Sequence, residues 1–136
     1  MITMSEILGN VKFDDLPKEH QDNLAILLER INKIRALWGK PMKVTSGYRS
    51  KEDQLRIYKE KGITDISKIP MGSNHLKAAA IDIYDPKLEV TQWLKDNPQI
   101  LEDACLWCED GNKNWVHAQI YPFRSYKAGG TRWFKP

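Results

Sequence analysis

Apolar positions follow two rhythms along the chain, and each predicts a different kind of element. Leu24, Leu27, Leu28, Ile31, Ile34 and Trp38 recur at three- and four-residue steps, one stripe of an amphipathic helix that stops at Gly39. Pro41 then opens a short extended piece, Met42 to Thr45. Ser46-Gly47-Tyr48-Arg49-Ser50 reads as a turn. Ser50 and Asp53 have the spacing of a capping box for a helix through Glu60, closed by Gly62. Residues 63 to 74 hold Gly, Pro and Ser without a period and read as a loop.

The second half changes rhythm. Ala79 to Tyr84 predicts a strand. Asp85-Pro86 then predicts a cap followed by a proline at the first helical position, opening a helix with Val90, Trp93 and Leu94 that runs toward Pro98. Two strands follow, about Ala104 to Glu109 and Trp115 to Tyr121, with Asp110-Gly111 as a hairpin-turn signal between them. Helices first and adjacent strands late give an α+β class, a small antiparallel sheet with helices packed on one face. There are no repeats, and the 136 residues suit a single domain spanning 1–136.

Composition narrows the partners. Hydrophobic residues make up 41% and charged residues 29%, and no apolar run approaches the roughly 18 residues of a membrane span. Met1 to Asn10 has neither a basic start nor an apolar block, so no signal peptide is expected. The formal charge of +3 is too small to argue for nucleic acid. The distribution says more. Residues 124–136 form a basic aromatic tail, with Arg124, Lys127, Arg132 and Lys135, no acid, and the rings of Tyr126, Trp133 and Phe134. Such a tail suits an anionic polymer or a tail docked by its rings, and the second reading is preferred. Cys105 and Cys108 are the only cysteines. Their spacing is that of a redox or half-zinc pair, but no further soft ligands stand beside them, and a buried strand makes them core residues.

Strand alternation supplies the candidate chemistry. Val116, Ala118 and Ile120 share one face of the last strand, and Trp115, His117, Gln119 and Tyr121 the other. The aliphatic face belongs to the core, so His117 points away from it. Ile81 and Ile83 bracket Asp82 in the same way. His75 lies seven residues before Asp82, which is about 23 Å along a straight strand or about 10 Å along a helix. Two ligands at roughly 2.0–2.2 Å from one ion require the chain to bend between them. Ala78, Ala79 and Ala80 are small enough to allow it.

Ser73-Asn74-His75-Leu76-Lys77-Ala78-Ala79-Ala80-Ile81-Asp82 resembles the Ser-x-His-x-x-Gly-x-Ala-x-Asp signature of the D-alanyl-D-alanine carboxypeptidase and L-alanyl-D-glutamate endopeptidase family, the peptidase M15 group, which includes phage endolysins. Val44 to Ser50 is similar to that family's arginine-bearing turn, and Trp115-Val116-His117-Ala118-Gln119 to its last ligand strand. The three motifs occur in family order across more than half the chain. The resemblance implies the family's fold and zinc bound by His75, Asp82 and His117, with a fourth position for water. It also implies that Arg49 stabilises the developing oxyanion, and that Ser73 shapes the substrate site or orients the ligand loop. Two positions depart from the pattern. Ala78 replaces the signature glycine, which matters only if the backbone there has positive φ. Asn114 stands three residues before the last histidine, where many members carry the general base. A carboxamide accepts no proton, which leaves Asn114 a substrate-binding position, with Glu109 and Asp110 as the nearest candidate bases and ordinary turn acids as their alternative reading.

The expectation is a monomeric zinc peptidase hydrolysing peptide stems of bacterial peptidoglycan, phage-derived, made in the cytoplasm and reaching the wall at lysis or in a virion. The alternatives are a catalytically weak or inactive wall-binding or virion structural module on the same scaffold, with Asn114 as its mark, and a nucleic-acid-binding domain resting only on the tail.

Overall fold

The computed structural model describes residues 1–135. Five helices, α1 (Met4–Leu8), α2 (Lys18–Trp38), α3 (Lys51–Glu60), α4 (Glu89–Asp96) and α5 (Pro98–Ala104), accompany five strands, β1 (Val44–Ser46), β2 (Ala80–Asp85), β3 (Trp107–Glu109), β4 (Asn114–Gln119) and β5 (Trp133–Phe134). The class is α+β.

The long helix forms where its apolar stripe predicts. Leu24, Leu27, Ile31 and Ile34 of α2 are buried, and Gly39 takes the left-handed conformation that ends it. Each of those side chains contributes about 1.5–3 kcal/mol by leaving water. They share one core with Ile81 and Ile83 of β2, Val116 and Ala118 of β4, and Leu101 of α5. Ser50 caps α3 as expected, its hydroxyl accepting from the Asp53 N–H at 3.1 Å. The short α1 carries a signal that apolar periodicity misses: Thr3 and Glu6 form a reciprocal capping box.

The sheet order is β1-β2-β4-β3-β5. Its first four strands pair antiparallel, but β5 runs parallel to β3, with Trp133 opposite Cys108 and Phe134 opposite Glu109. The sheet is therefore mixed rather than antiparallel. After β4 the chain loops back through residues 120–132 and returns along the free edge of β3, long enough for a parallel return. The tail is docked by its rings. Arg132 stacks over Trp107 at 4.4 Å and Lys95 over Trp133 at 5.1 Å.

Two further boundaries differ from expectation. Asp85 ends β2 rather than opening a helix, and α4 starts at Glu89 after Leu88 in the left-handed region. Asp85 still caps α4 from a distance, its carboxylate accepting from the N–H groups of Val90 (3.1 Å) and Thr91 (2.9 Å). Pro98 opens a new helix, α5, so the strand expected from Ala104 begins only at Trp107, after a left-handed Cys105. Cys108 is buried in the core, where burial pushes its thiol up to about 12 and it packs as a small hydrophobe.

Gly47, between β1 and α3, shows why this turn tolerates no side chain. A Cβ there would sit 2.3 Å from the Ile7 carbonyl oxygen, which accepts from the Tyr48 N–H at 2.9 Å. Gly47→Ala must separate α1 from the turn and is expected to lower stability by about 1–3 kcal/mol, read by urea unfolding. Gly72→Ala, where nothing lies within 4 Å of the new Cβ, serves as the near-neutral control.

Candidate metal centre

The core takes the Ile81/Ile83 face of β2 and the Val116/Ala118 face of β4. The opposite face carries Asp82 beside His117, which are register partners. The backbone at Asp82 and Tyr84 bonds toward β1: Thr45 Oγ1 donates to Asp82 O, and Tyr84 N to Lys43 O. Toward β4, Asp82 and His117 are thus a non-hydrogen-bonded pair, the arrangement that brings opposed side chains closest. His117 Nδ1 lies 2.9 Å from Asp82 Oδ1.

His75 arrives by a bend. Ser73 caps a 3-10 turn over Asn74–Lys77, its hydroxyl accepting from the His75 N–H at 3.3 Å. The turn ends at Ala78 with φ 58° and ψ 31°, and β2 begins two residues on. This reversal collapses the sequence gap to a 3.3 Å separation between His75 Nε2 and Asp82 Oδ1. The position where the signature has glycine therefore does require positive φ. Alanine occupies it at a cost of about 1–2 kcal/mol.

One ligand atom from each of His75, Asp82 and His117 lies within 4.8 Å of the others, and the three residues are 4%, 8% and 7% exposed. This buried triad can hold a metal ion. Its surroundings pass a stricter test, because each histidine has one ring nitrogen engaged on the side away from Asp82. His75 Nδ1 donates to Gly47 O at 2.8 Å, which leaves the Nε2 lone pair for a cation. His117 Nε2 donates to Gln119 Oε1 at 2.8 Å, and Gln119 Nε2 donates to Tyr121 O, which holds the amide with its oxygen toward the ring. The Nδ1 lone pair of His117 is then available. A ligand imidazole whose other nitrogen is tied to a carbonyl is what metal sites require.

Burial alone would raise the Asp82 carboxyl, but hydrogen bonds from His117 and His75, together with their charge, hold it well below its ordinary value. Burial pulls the other way on His117, which is raised overall by Asp82 and then Gln119. Arg49 adds a longer ion pair, Nη2 to Asp82 Oδ2 at 3.9 Å. Its guanidinium is set by Ser46 Oγ at 3.0 Å and Gln54 Oε1 at 3.3 Å. Gln54, only 1% exposed, in turn donates to Pro70 O.

The three ligands line a cavity of about 450 Å³ together with Arg49, Ser73 and Glu109. Asp110 and Asn114 are outside its lining. Asp110 is turned to Lys95 on α4 at 2.7 Å, a bond that holds its carboxyl below the usual range. Asn114 is exposed at the start of β4 with φ 72°. Glu109 is held in place: with the Asn112 amide turned so that its nitrogen donates to a Glu109 oxygen (3.0 Å), its oxygen accepts from Trp115 Nε1 (3.2 Å). Sequence reasoning missed Gly47, Gln54, Asn112 and Phe134 in this site. Gln119 was legible as the next side chain on the face of His117. No helix among the described residues is long and apolar enough to cross a membrane. Comparison with protein-family models, with curated proteins and with solved structures gives no match to this chain.

Proton and cation compete for the same lone pairs. The lowered Asp82 stabilises the fold above its ordinary 3.8 and loses that contribution as pH falls through its folded value. The raised His117 stabilises below its ordinary 6.5 and loses that contribution as pH rises through its folded value. Chelator-treated protein is therefore expected to be most stable between those two values and to weaken toward alkaline pH. The stabilisation from added divalent cation should grow as pH rises and the raised His117 sheds its proton; thermal melts with and without chelator check both trends. Gln119→Leu frees the His117 tautomer and should weaken cation binding about 10–100-fold, measured by competition with a chromophoric chelator.

Proposed function

We propose that the protein is a zinc-dependent peptidase acting on the peptide stems of bacterial cell-wall peptidoglycan. The observation that carries this reading is the meeting, in one cavity, of a two-histidine, one-carboxylate triad with Arg49 and a second carboxylate, Glu109. That donor set suits zinc. The ordered Ser-x-His…Asp and Trp-Val-His motifs, which resemble those of cell-wall carboxypeptidases and endopeptidases, supply the substrate class. Access to the wall through phage lysis or a virion belongs to the same reading.

Zinc bound by His75, Asp82 and His117 would supply Lewis acidity, polarising a carbonyl and making water acidic enough to give hydroxide near neutral pH. The chain's own residues do the rest. Arg49, fixed by Ser46 and Gln54, donates to the substrate carbonyl oxygen as it gains negative charge. Glu109 accepts the proton of the attacking water through the carboxylate oxygen that Asn112 does not engage, and returns it to the leaving amine. Its support for this role is that it lines the same cavity as His75, Asp82 and His117. Ser73 holds the ligand turn rigid. Asp110, committed to Lys95, takes no part.

The second reading, a weak or inactive wall-binding module, is favoured by one observation: Asn114 stands at the family's base position. Release of fragments from purified sacculi by zinc-loaded protein separates the two. His75→Ala and His117→Ala should each lose stoichiometric zinc, and full occupancy in both would overturn the ligand assignment. Glu109→Gln should keep its zinc and lose about 10²–10⁴ in kcat, whereas Asp110→Asn stays within a few-fold of wild type. Full activity in Glu109→Gln would remove Glu109 from the mechanism. Zinc and sacculus binding without turnover in the wild type would establish the module instead.

A further inference from the structure

The basic aromatic tail does more than dock. Phe134 forms one wall of the metal-ligand cavity, its ring 6.1 Å from that of His117 at 87°. It also forms a wall of a second cleft of about 730 Å³, lined by Phe123, Arg124, Ser125, Trp133 and Lys135. The two cavities therefore share Phe134 in their linings and lie on either side of it. No acidic residue lines the second cleft.

The cations nearby divide into two sets. Arg132 pairs with Glu102 at 3.0 Å, and Lys95 with Asp110 at 2.7 Å. Among the described residues Arg124 and Lys135 enter no ion pair. The charge of Lys135 does reach Asp110, but that carboxylate is already bonded to Lys95. Two uncommitted positive side chains thus flank an aromatic-walled cleft that adjoins the metal ligands. The guanidinium fork fits a carboxylate through two parallel bonds.

We propose that this cleft is an anion subsite that takes a free carboxylate of the peptide stem, on the far side of Phe134 from the metal ligands. The subsite rests on the peptidase reading for its occupant and on charge complementarity for its chemistry.

Two synthetic stem peptides, identical except that one has its carboxylates amidated, test the subsite by calorimetry on the zinc-loaded full chain. Wild type should bind the carboxylate form about tenfold more tightly at low salt, the gain expected from two exposed pairs, and the preference should shrink as salt rises. Arg124→Gln/Lys135→Gln should lose the preference while keeping its zinc content and its affinity for the amidated peptide. A preference that persists in the double variant, or is absent from wild type, overturns the subsite. Poly(glycerol phosphate) is the second arm: binding of that polymer lost in the double variant, without any carboxylate preference in wild type, would give the cleft to a phosphate polymer and overturn the peptide assignment. Calorimetry needs no turnover, so a carboxylate preference without hydrolysis counts against the peptidase reading alone, and zinc-dependent hydrolysis without the preference counts against the subsite alone.

Discussion

Asp82 brings a carboxylate into a face of the sheet where water hardly reaches it, and the surrounding structure is arranged to compensate that charge. An ion so placed and left alone costs several kcal/mol. Its partners come from three separate stretches: His75 from the 3-10 turn before β2, His117 from β4 and Arg49 from the turn before α3. Compensating one charge therefore ties three segments together. A metal cation would serve the same carboxylate better than two shared protons, because it replaces two partial donors with a full divalent charge.

Orientation is the second requirement, and it is met from outside the triad. The Gly47 carbonyl fixes His75, and Gly47 can approach only because it lacks a Cβ against Ile7. Gln119 fixes His117 and is itself fixed by Tyr121. Gln54 fixes Arg49 and the loop at Pro70. Each side chain aimed at the cavity thus has its polar remainder used up by a neighbour. This is how a site holds its geometry against the entropy of its own rotamers.

Features set by near neighbours were legible in the sequence. The stripe of α2 with Gly39, the Ser50 cap and the alternation that puts Asp82 and His117 opposite the aliphatic face all depend on residues a few positions apart. The meeting of Asp82 and His117 depended on register, and spacing alone could not give it. The mixed sheet was invisible because β5 has two residues and gains its pairing from β3. The restart of helix at Pro98 was hidden because proline both ends one helix and opens the next. Ala78 was legible as a conditional: a left-handed residue was needed, and only the backbone could show that alanine supplies it.

In the reading proposed above the base is Glu109, and the tail is what holds that residue in place. Asn114 stands at the start of β4 with φ 72° and lies outside the cavity, to which β4 contributes Trp115, His117 and Gln119 but no carboxylate. Glu109 sits at the end of a three-residue strand, where an edge position alone would leave it mobile. Parallel pairing with β5 removes that freedom: Cys108 N donates to Arg132 O at 2.9 Å and Asp110 N to Phe134 O at 2.6 Å, on either side of Glu109. Asn112 then holds the carboxylate itself. A carboxylate borrowed from the neighbouring strand needs this support, because proton transfer depends on reach before it depends on acidity. The short strand that completes the sheet therefore also shapes the site, because its Phe134 lines the cavity and faces the His117 ring.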